Sequence, residues 1–329
     1  MTTNRTPEID PCTESYLRAQ AAADLTSEQE MGAAEARELN RTVLSAEFGP
    51  VPAVGEVRDH LAGEVPVRVF RPSRPAQAGP AVLYVHGGGW TVGDLDTHAG
   101  VSRALCAMAG VTVVAVDYRL APDHRYPAAL DDCETALAWL VSHAAELDVD
   151  PDRIGIVGDS AGGNLVAAMT LRARDGGPGA RCQVLVYPPV DSTCGSESYV
   201  TVGTGYGLDA EGMRWYWANY LGENPDQEDT GHSPARARDL GGLPPTFVIT
   251  AELDPLRDEG ESYGRKLAEA GNLVTMKRFK GTIHGFFRMP GTIRLGQVAL
   301  TDAAAYLHAC LRPEGPLRDW SELTFEETR

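Results

Sequence analysis

A chain of 329 residues, 43% hydrophobic and 23% charged, has room for one large α/β domain with an accessory piece. Its formal net charge of −17 argues against nucleic acid or an anionic membrane as partner, since either would repel it. The opening MTTNRTPEID has no basic start followed by an apolar core, and the longest aliphatic run, Val113 to Val116, is far too short for a bilayer. A cytoplasmic protein with no membrane insertion is therefore expected.

Residues 1 to about 50 are rich in Ala and Glu and contain two helical stretches, Glu14 to Ala23 and Ser27 to Leu44. Apolar residues recur there at three and four (Leu39, Val43, Leu44), which gives one face that can pack. Val54 to Val57 and Val65 to Phe70 read as an antiparallel hairpin around Gly63, and Pro72, Pro75, Gly79 and Pro80 as a loop. A strand-then-helix rhythm follows. The expected strands are Ala81–Val85, Val111–Asp117, Ile154–Val157, Arg181–Tyr187, Thr246–Thr250 and Leu273–Phe279. The helices between and after them are Thr97–Met108, Pro127–Leu147, Asn164–Arg174, Asp258–Ala270 and Thr292–Leu311. Such alternation means a mostly parallel sheet covered on both faces.

Pro188 to Pro245 interrupts the rhythm with Tyr199, Tyr206, Met213, Trp215, Tyr216, Trp217 and Tyr220, and Leu208 to Leu221 reads as an aromatic helix. An aromatic insertion at a strand end usually covers a site. With the amino-terminal helices it is expected to form a cap and to leave an apolar, water-poor pocket. The segment Arg312 to Arg329 is polar and acidic and reads as a loosely held tail. Six cysteines, at 12, 106, 133, 182, 194 and 310, form no C-x-x-C pair, the pattern of reduced thiols without a disulfide frame or zinc site.

The chemistry centres on Ile154 to Gly163, I-G-I-V-G-D-S-A-G-G. A β-branched run ends at Gly158 and a helical pattern follows Gly162, so Ser160 sits at the apex of a strained strand-to-helix turn. The turn lifts the hydroxyl out of the sheet and frees the Ala161 N–H to face a developing oxyanion. An activated serine needs a base and an orienting acid, and these belong at the carboxyl ends of later strands. Asp254 follows one such strand and His284 the last, giving the order serine, acid, base. Glu252 and Asp258 compete for the acid, although Asp258 better suits a helix N-cap. His60, His143, His232 and His308 are expected to be solvated, while His98 and His124, near strand ends, are weaker rivals to His284. Tyr84 to Trp90, Y-V-H-G-G-G-W, puts three bare glycines after a strand, where backbone N–H groups can approach a ligand. A phosphate loop is excluded because no lysine follows and the G-x-G-x-x-G spacing is missing. His86 is expected to tie this loop down by hydrogen bonds.

Together, H-G-G-G, G-D-S-A-G-G, Y-R-L-A-P-D-H-R-Y-P-A-A (Tyr118 to Ala129), D-P-L-R-D-E (Asp254 to Glu259) and H-G-F (His284 to Phe286) resemble the bacterial hormone-sensitive-lipase-like esterases, family IV of the α/β-hydrolases. The match runs in order from about Val54 to Leu311. The resemblance implies an α/β-hydrolase fold with a mostly parallel eight-stranded sheet. It implies amino-terminal cap helices over residues 1–50 and a catalytic domain over 51–329, with a cap insertion at about 188–245. It implies Ser160 as nucleophile, His284 as base, Asp254 as acid, and Gly88, Gly89 and Ala161 as the oxyanion hole. Trp90, Tyr187 and Trp215 are expected to bind substrate, and Tyr118 to Ala129 to serve structure. Short- to medium-chain carboxylic esters are the expected substrates, with no cofactor and no metal; beyond the small-molecule ester, the partner expected is at most a second copy in a homodimer. An N-acetyl or N-formyl amide deacylase is the alternative, and a ligand receptor without catalytic histidine the more distant one.

Overall fold

The computed structural model describes residues 8–23, 26–74, 77–174, 176–223, 225–312 and 316–326. Pro75 of the expected loop, the side chain of Leu44 and part of the tail lie outside the described residues. Among the described residues, three amino-terminal helices come first, α1 (Pro11–Ala23), α2 (Glu28–Met31) and α3 (Ala33–Phe48). Where the pattern predicts one helix from Ser27, the chain breaks at Gly32, whose φ of +79° lies in the left-handed region. Ser27 and Glu30 close a capping box over the short first piece.

The hairpin consists of β1 (Glu56–Ala62) and β2 (Val65–Arg71), so its first strand begins later than expected. Then come β3 (Gly79–Val85), α4 (Ala99–Ala109), β4 (Thr112–Val116), α5 (Ala128–Ser142), β5 (Val149–Asp159), α6 (Ala161–Arg174) and β6 (Cys182–Val186). After the short α7 (Ser198–Thr201) and α8 (Ala210–Leu221), the chain returns through β7 (Thr246–Leu253), α9 (Arg257–Glu269), β8 (Val274–Ile283) and α10 (Leu295–Leu311). The eight strands form one sheet in the order β1-β2-β4-β3-β5-β6-β7-β8. The β1–β2 and β2–β4 pairs are antiparallel, and every later pair is parallel. This is the α/β-hydrolase arrangement.

Alternation along the buried strands divides the core. On β3, Ala81, Leu83 and Val85 face the side covered by α5, α6 and α9, while Val82 and Tyr84 face α4 and α10. Helix α4 ends at Gly110, whose left-handed backbone caps the last turn. The parallel sheet leaves the carboxyl ends of β3, β5, β7 and β8 pointing to the same edge, and the chemistry gathers there.

The end of the chain differs from expectation. Trp320 packs on Phe48 with ring centroids 6.0 Å apart, Phe325 bridges to Pro52, and Arg318 N–H donates to the Met108 carbonyl at 3.0 Å. Leu323 is buried in the core on the α10 side, so the described part of this segment is a strap and not a loose tail. Its polar composition conceals three spaced apolar anchors. No helix among the described residues is long and apolar enough to cross a membrane.

Candidate active site

Ser160 stands between β5 and α6 with φ +52°, a left-handed conformation that costs a non-glycine residue about 1–3 kcal/mol. The helix starts at Ala161, immediately after the serine, and not at Asn164 as the pattern suggests. Two glycines permit the turn. A Cβ on Gly158 would lie 2.3 Å from the Gly162 carbonyl oxygen, and one on Gly162 would lie 2.0 Å from the Val85 carbonyl oxygen. As the first residue of α6, Ala161 has a backbone N–H with no intrahelical acceptor.

His284 follows β8, and its Nε2 lies 2.8 Å from Ser160 Oγ. Its Nδ1 lies 2.8 Å from Asp254 Oδ2, and Asp254 is fully buried. With Nδ1–H donating to that carboxylate, Nε2 is left to accept the serine proton. The other Asp254 oxygen accepts the N–H of Leu256 at 2.9 Å, which fixes the carboxylate plane. Neither rival acid reaches the imidazole. Glu252 accepts the Gly281 N–H at 2.8 Å, and Asp258 pairs with Arg257 at 2.7 Å. Asp258 lies in the first turn of α9; the N-cap position is Leu256, so the expected cap role is not met.

The glycine loop follows β3. His86 ties it down as expected: its Nδ1 lies 2.7 Å from the Gly87 carbonyl oxygen, and its ring stacks on Tyr118 with centroids 4.2 Å apart. Burial pushes the His86 imidazole below its ordinary range, which favours the neutral ring. The Tyr118 motif has structural partners, with the Tyr118 hydroxyl donating to the His86 carbonyl at 2.8 Å and Arg119 paired to Asp132 at 2.8 Å. No hydrogen bond engages the N–H groups of Gly88 or Gly89 among the described residues.

A cavity of about 410 Å³ opens onto Ser160, His284, Gly88 and Gly89. Tyr187 and Trp215 line it, and the Tyr187 ring lies 4.5 Å from that of His284. Trp90 does not line it; the indole is buried in the core against Trp217 and Tyr220. Half of the aromatic rings of the segment do likewise, for Tyr199, Trp217 and Tyr220 are core residues while Trp215 and Tyr216 reach the cavity. His232 also departs from expectation, being 1% exposed with Nε2 2.8 Å from the Asp226 carbonyl oxygen.

Nor is the cavity purely apolar. The amino-terminal helices contribute Tyr16, Gln20, Glu28, Asn40 and Glu47 to its wall. The Tyr16 hydroxyl donates to Glu47 at 2.6 Å, Asn40 donates to Glu28 at 2.7 Å, Tyr216 donates to Glu28, and Arg288 pairs with Glu47. These polar residues carry no sequence motif. Arg288, four residues beyond His284, was the one with a positional signal.

A family model described as the alpha/beta hydrolase fold matches residues 82–288. The chain belongs to this family and, within it, to the hormone-sensitive-lipase-like esterases. It is 42% identical over 235 residues to the carboxylic ester hydrolase LipN of Mycobacterium tuberculosis, covering 69% of this chain and 62% of that relative's length. An arylesterase of Saccharolobus solfataricus is 37% identical over 291 residues, 87% of this chain and 94% of the relative. The solved hyperthermophilic esterase of Pyrobaculum calidifontis superposes with a TM-score of 0.86 at 38% identity, covering 92% of this chain and 99% of that one.

Proposed function

We propose that the protein hydrolyses short- to medium-chain carboxylic esters through an acyl-enzyme on Ser160. The observation that carries this reading is the continuous pair of 2.8 Å contacts from Ser160 through His284 to Asp254. Ser160 Oγ attacks the acyl carbon as its proton passes to His284 Nε2, and the carbonyl π-electrons move onto the oxygen. The N–H groups of Gly88, Gly89 and Ala161 hold that oxyanion, each such donor being worth about 3–4 kcal/mol. The imidazolium gives its proton to the leaving alcohol, and water, deprotonated by the same imidazole, releases the acid. Asp254 holds the imidazole tautomer and stabilises the imidazolium.

Residues 1–50 and about 188–245 act as a cap over this machinery, a role supported by the pocket residues that each supplies. The six free cysteines agree with a reducing, cytoplasmic location. A receptor role is disfavoured by the intact serine–histidine contact.

A 4-nitrophenyl acetate assay on the wild type and Ser160→Ala tests the reading. Turnover in the wild type and none above background in the variant is the expected result. Equal rates in the two would remove it.

A further inference from the structure

We infer that Asp159 is a positioning residue that sets the spacing between the two halves of the oxyanion hole; this rests on the reading of Ser160, Gly88, Gly89 and Ala161 given above. One half, Ala161, belongs to the turn at the end of β5, and the other belongs to the loop after β3. Asp159 immediately precedes the serine and is buried. Its Oδ1 accepts the Gly87 N–H at 3.1 Å and the Tyr84 hydroxyl at 2.6 Å. A Cβ on Gly87 would lie 2.6 Å from Asp159 Oδ2 and 2.9 Å from its carbonyl oxygen, so the loop rests directly on this residue.

The other bonds of the loop hold its carbonyls. Tyr118 donates to His86 O at 2.8 Å, the Thr91 and Val92 N–H groups donate to Gly88 O at 3.0 and 2.9 Å, and the Thr91 hydroxyl donates to Gly89 O at 2.9 Å. These contacts curl the loop without referring it to Ser160. Asp159 is the side chain that does so: it takes the Gly87 N–H and leaves those of the next two glycines free. Preorganised donors stabilise an oxyanion only when they are already aimed, so slack here weakens the transition state and leaves ground-state binding unchanged.

The test compares Asp159→Ala, which removes the acceptor, with Asp159→Asn, whose amide oxygen still accepts from Gly87 and Tyr84. For each variant kcat and KM are measured with 4-nitrophenyl acetate, and inhibition constants with a trifluoromethyl ketone, whose adduct on Ser160 carries an oxyanion. The alanine variant should lose about 10- to 100-fold in kcat with KM within twofold, and inhibitor affinity should fall in parallel. The asparagine variant should recover most of both. An alanine variant with wild-type kcat would overturn the inference, as would a kcat loss without inhibitor weakening or an asparagine variant as poor as alanine. Should the alanine variant fail to fold, Asp159→Ser, too short to reach Gly87, takes its place with the same expectations. Ser160→Ala is run alongside. If it retains activity the reading of the site fails, whereas an inactive Ser160→Ala beside an unimpaired Asp159→Ala sinks only the present inference.

Discussion

The indole of Trp90 lies flat on the phenol ring of Tyr220, with centroids 4.4 Å apart and planes 2° apart. Trp90 directly follows the loop glycines at φ +56°, and Tyr220 sits in the last turn of α8. The stack therefore fastens the end of the glycine loop to the aromatic helix. Truncating Tyr220→Ala should cost about 3–5 kcal/mol in urea unfolding, the usual range for a fully buried aromatic ring. A change below about 1 kcal/mol would mean that the loop is anchored elsewhere.

Asp254→Asn should leave far-UV circular dichroism unchanged, because the amide oxygen can still accept the Leu256 N–H. The rate should nonetheless fall by about 10⁴ in kcat, since an asparagine amide favours the wrong imidazole tautomer. Asp258→Asn should lie within a few-fold of wild type, its partner being Arg257 and not His284. Reversed losses in the two variants would reassign the acid.

Gly162→Ala drives a methyl group against the backbone of β3, where no side chain can move aside. Soluble yield should collapse, or unfolding should shift by more than about 3 kcal/mol, as for other overpacked core positions. A folded, fully active Gly162→Ala protein would show that the turn has more freedom than its contacts imply.

Acyl-chain preference should peak between two and six carbons in kcat/KM across 4-nitrophenyl esters. The decline beyond that should be gradual, because a crowded pocket discriminates by only about 1–3 kcal/mol per methylene. Trp215→Ala, at the cavity wall, should move the peak to longer chains. On a matched acetyl ester and acetanilide the ester should be faster by orders of magnitude, an amine being the poorer leaving group. Comparable rates would convert the assignment to an amide deacylase.

Asp117 provides a pH signature in stability. Burial, reinforced by the nearby charges of Asp94 and Asp96, pushes its carboxyl up to about 6. The folded state thus favours the protonated form. Its contribution is complete below the ordinary carboxylate value of about 4 and is lost as pH rises through about 6. Asp117→Asn should exceed wild type by about 1–2 kcal/mol at pH 7, a figure discounted for partial exposure, and the gap should close toward pH 4.5. A pH-independent difference in urea midpoints would contradict it.

The sheet was legible because its central strands are continuous aliphatic runs between glycine-rich turns, and the meeting of Ser160, Asp254 and His284 because each follows a strand. Strand and helix ends were not, since pairing with neighbours extends β5 back to Val149 and β8 on to Ile283, beyond any local apolar signal. Trp90 misled because its place beside the glycines suggested a ligand contact, whereas the left-handed backbone turns the indole back into the core. The polar wall was invisible for a different reason. Glu28 and Glu47 meet Tyr216 and Arg288 across sequence separations of 188 and 241 residues, and no local pattern encodes such pairing.

The strap formed by Trp320 and Phe325 bears on how the protein is made. Phe48 closes over Gly100, where a Cβ would come within 2.4 Å of its ring, and Trp320 lies on the same phenylalanine while Phe325 bridges the Pro52 linker just beyond. A ribosome delivers α1 to α3 well before this segment. Ser160 thus emerges from the exit tunnel well before Asp254 and His284, and Phe48, at the end of α3, is clasped only once Trp320 and Phe325 are free. A nascent chain stalled before Trp320 would already carry Ser160, Asp254 and His284 while Phe48 stayed unclasped, so emergence of the strap, and not synthesis of those three residues, completes the wall of the pocket.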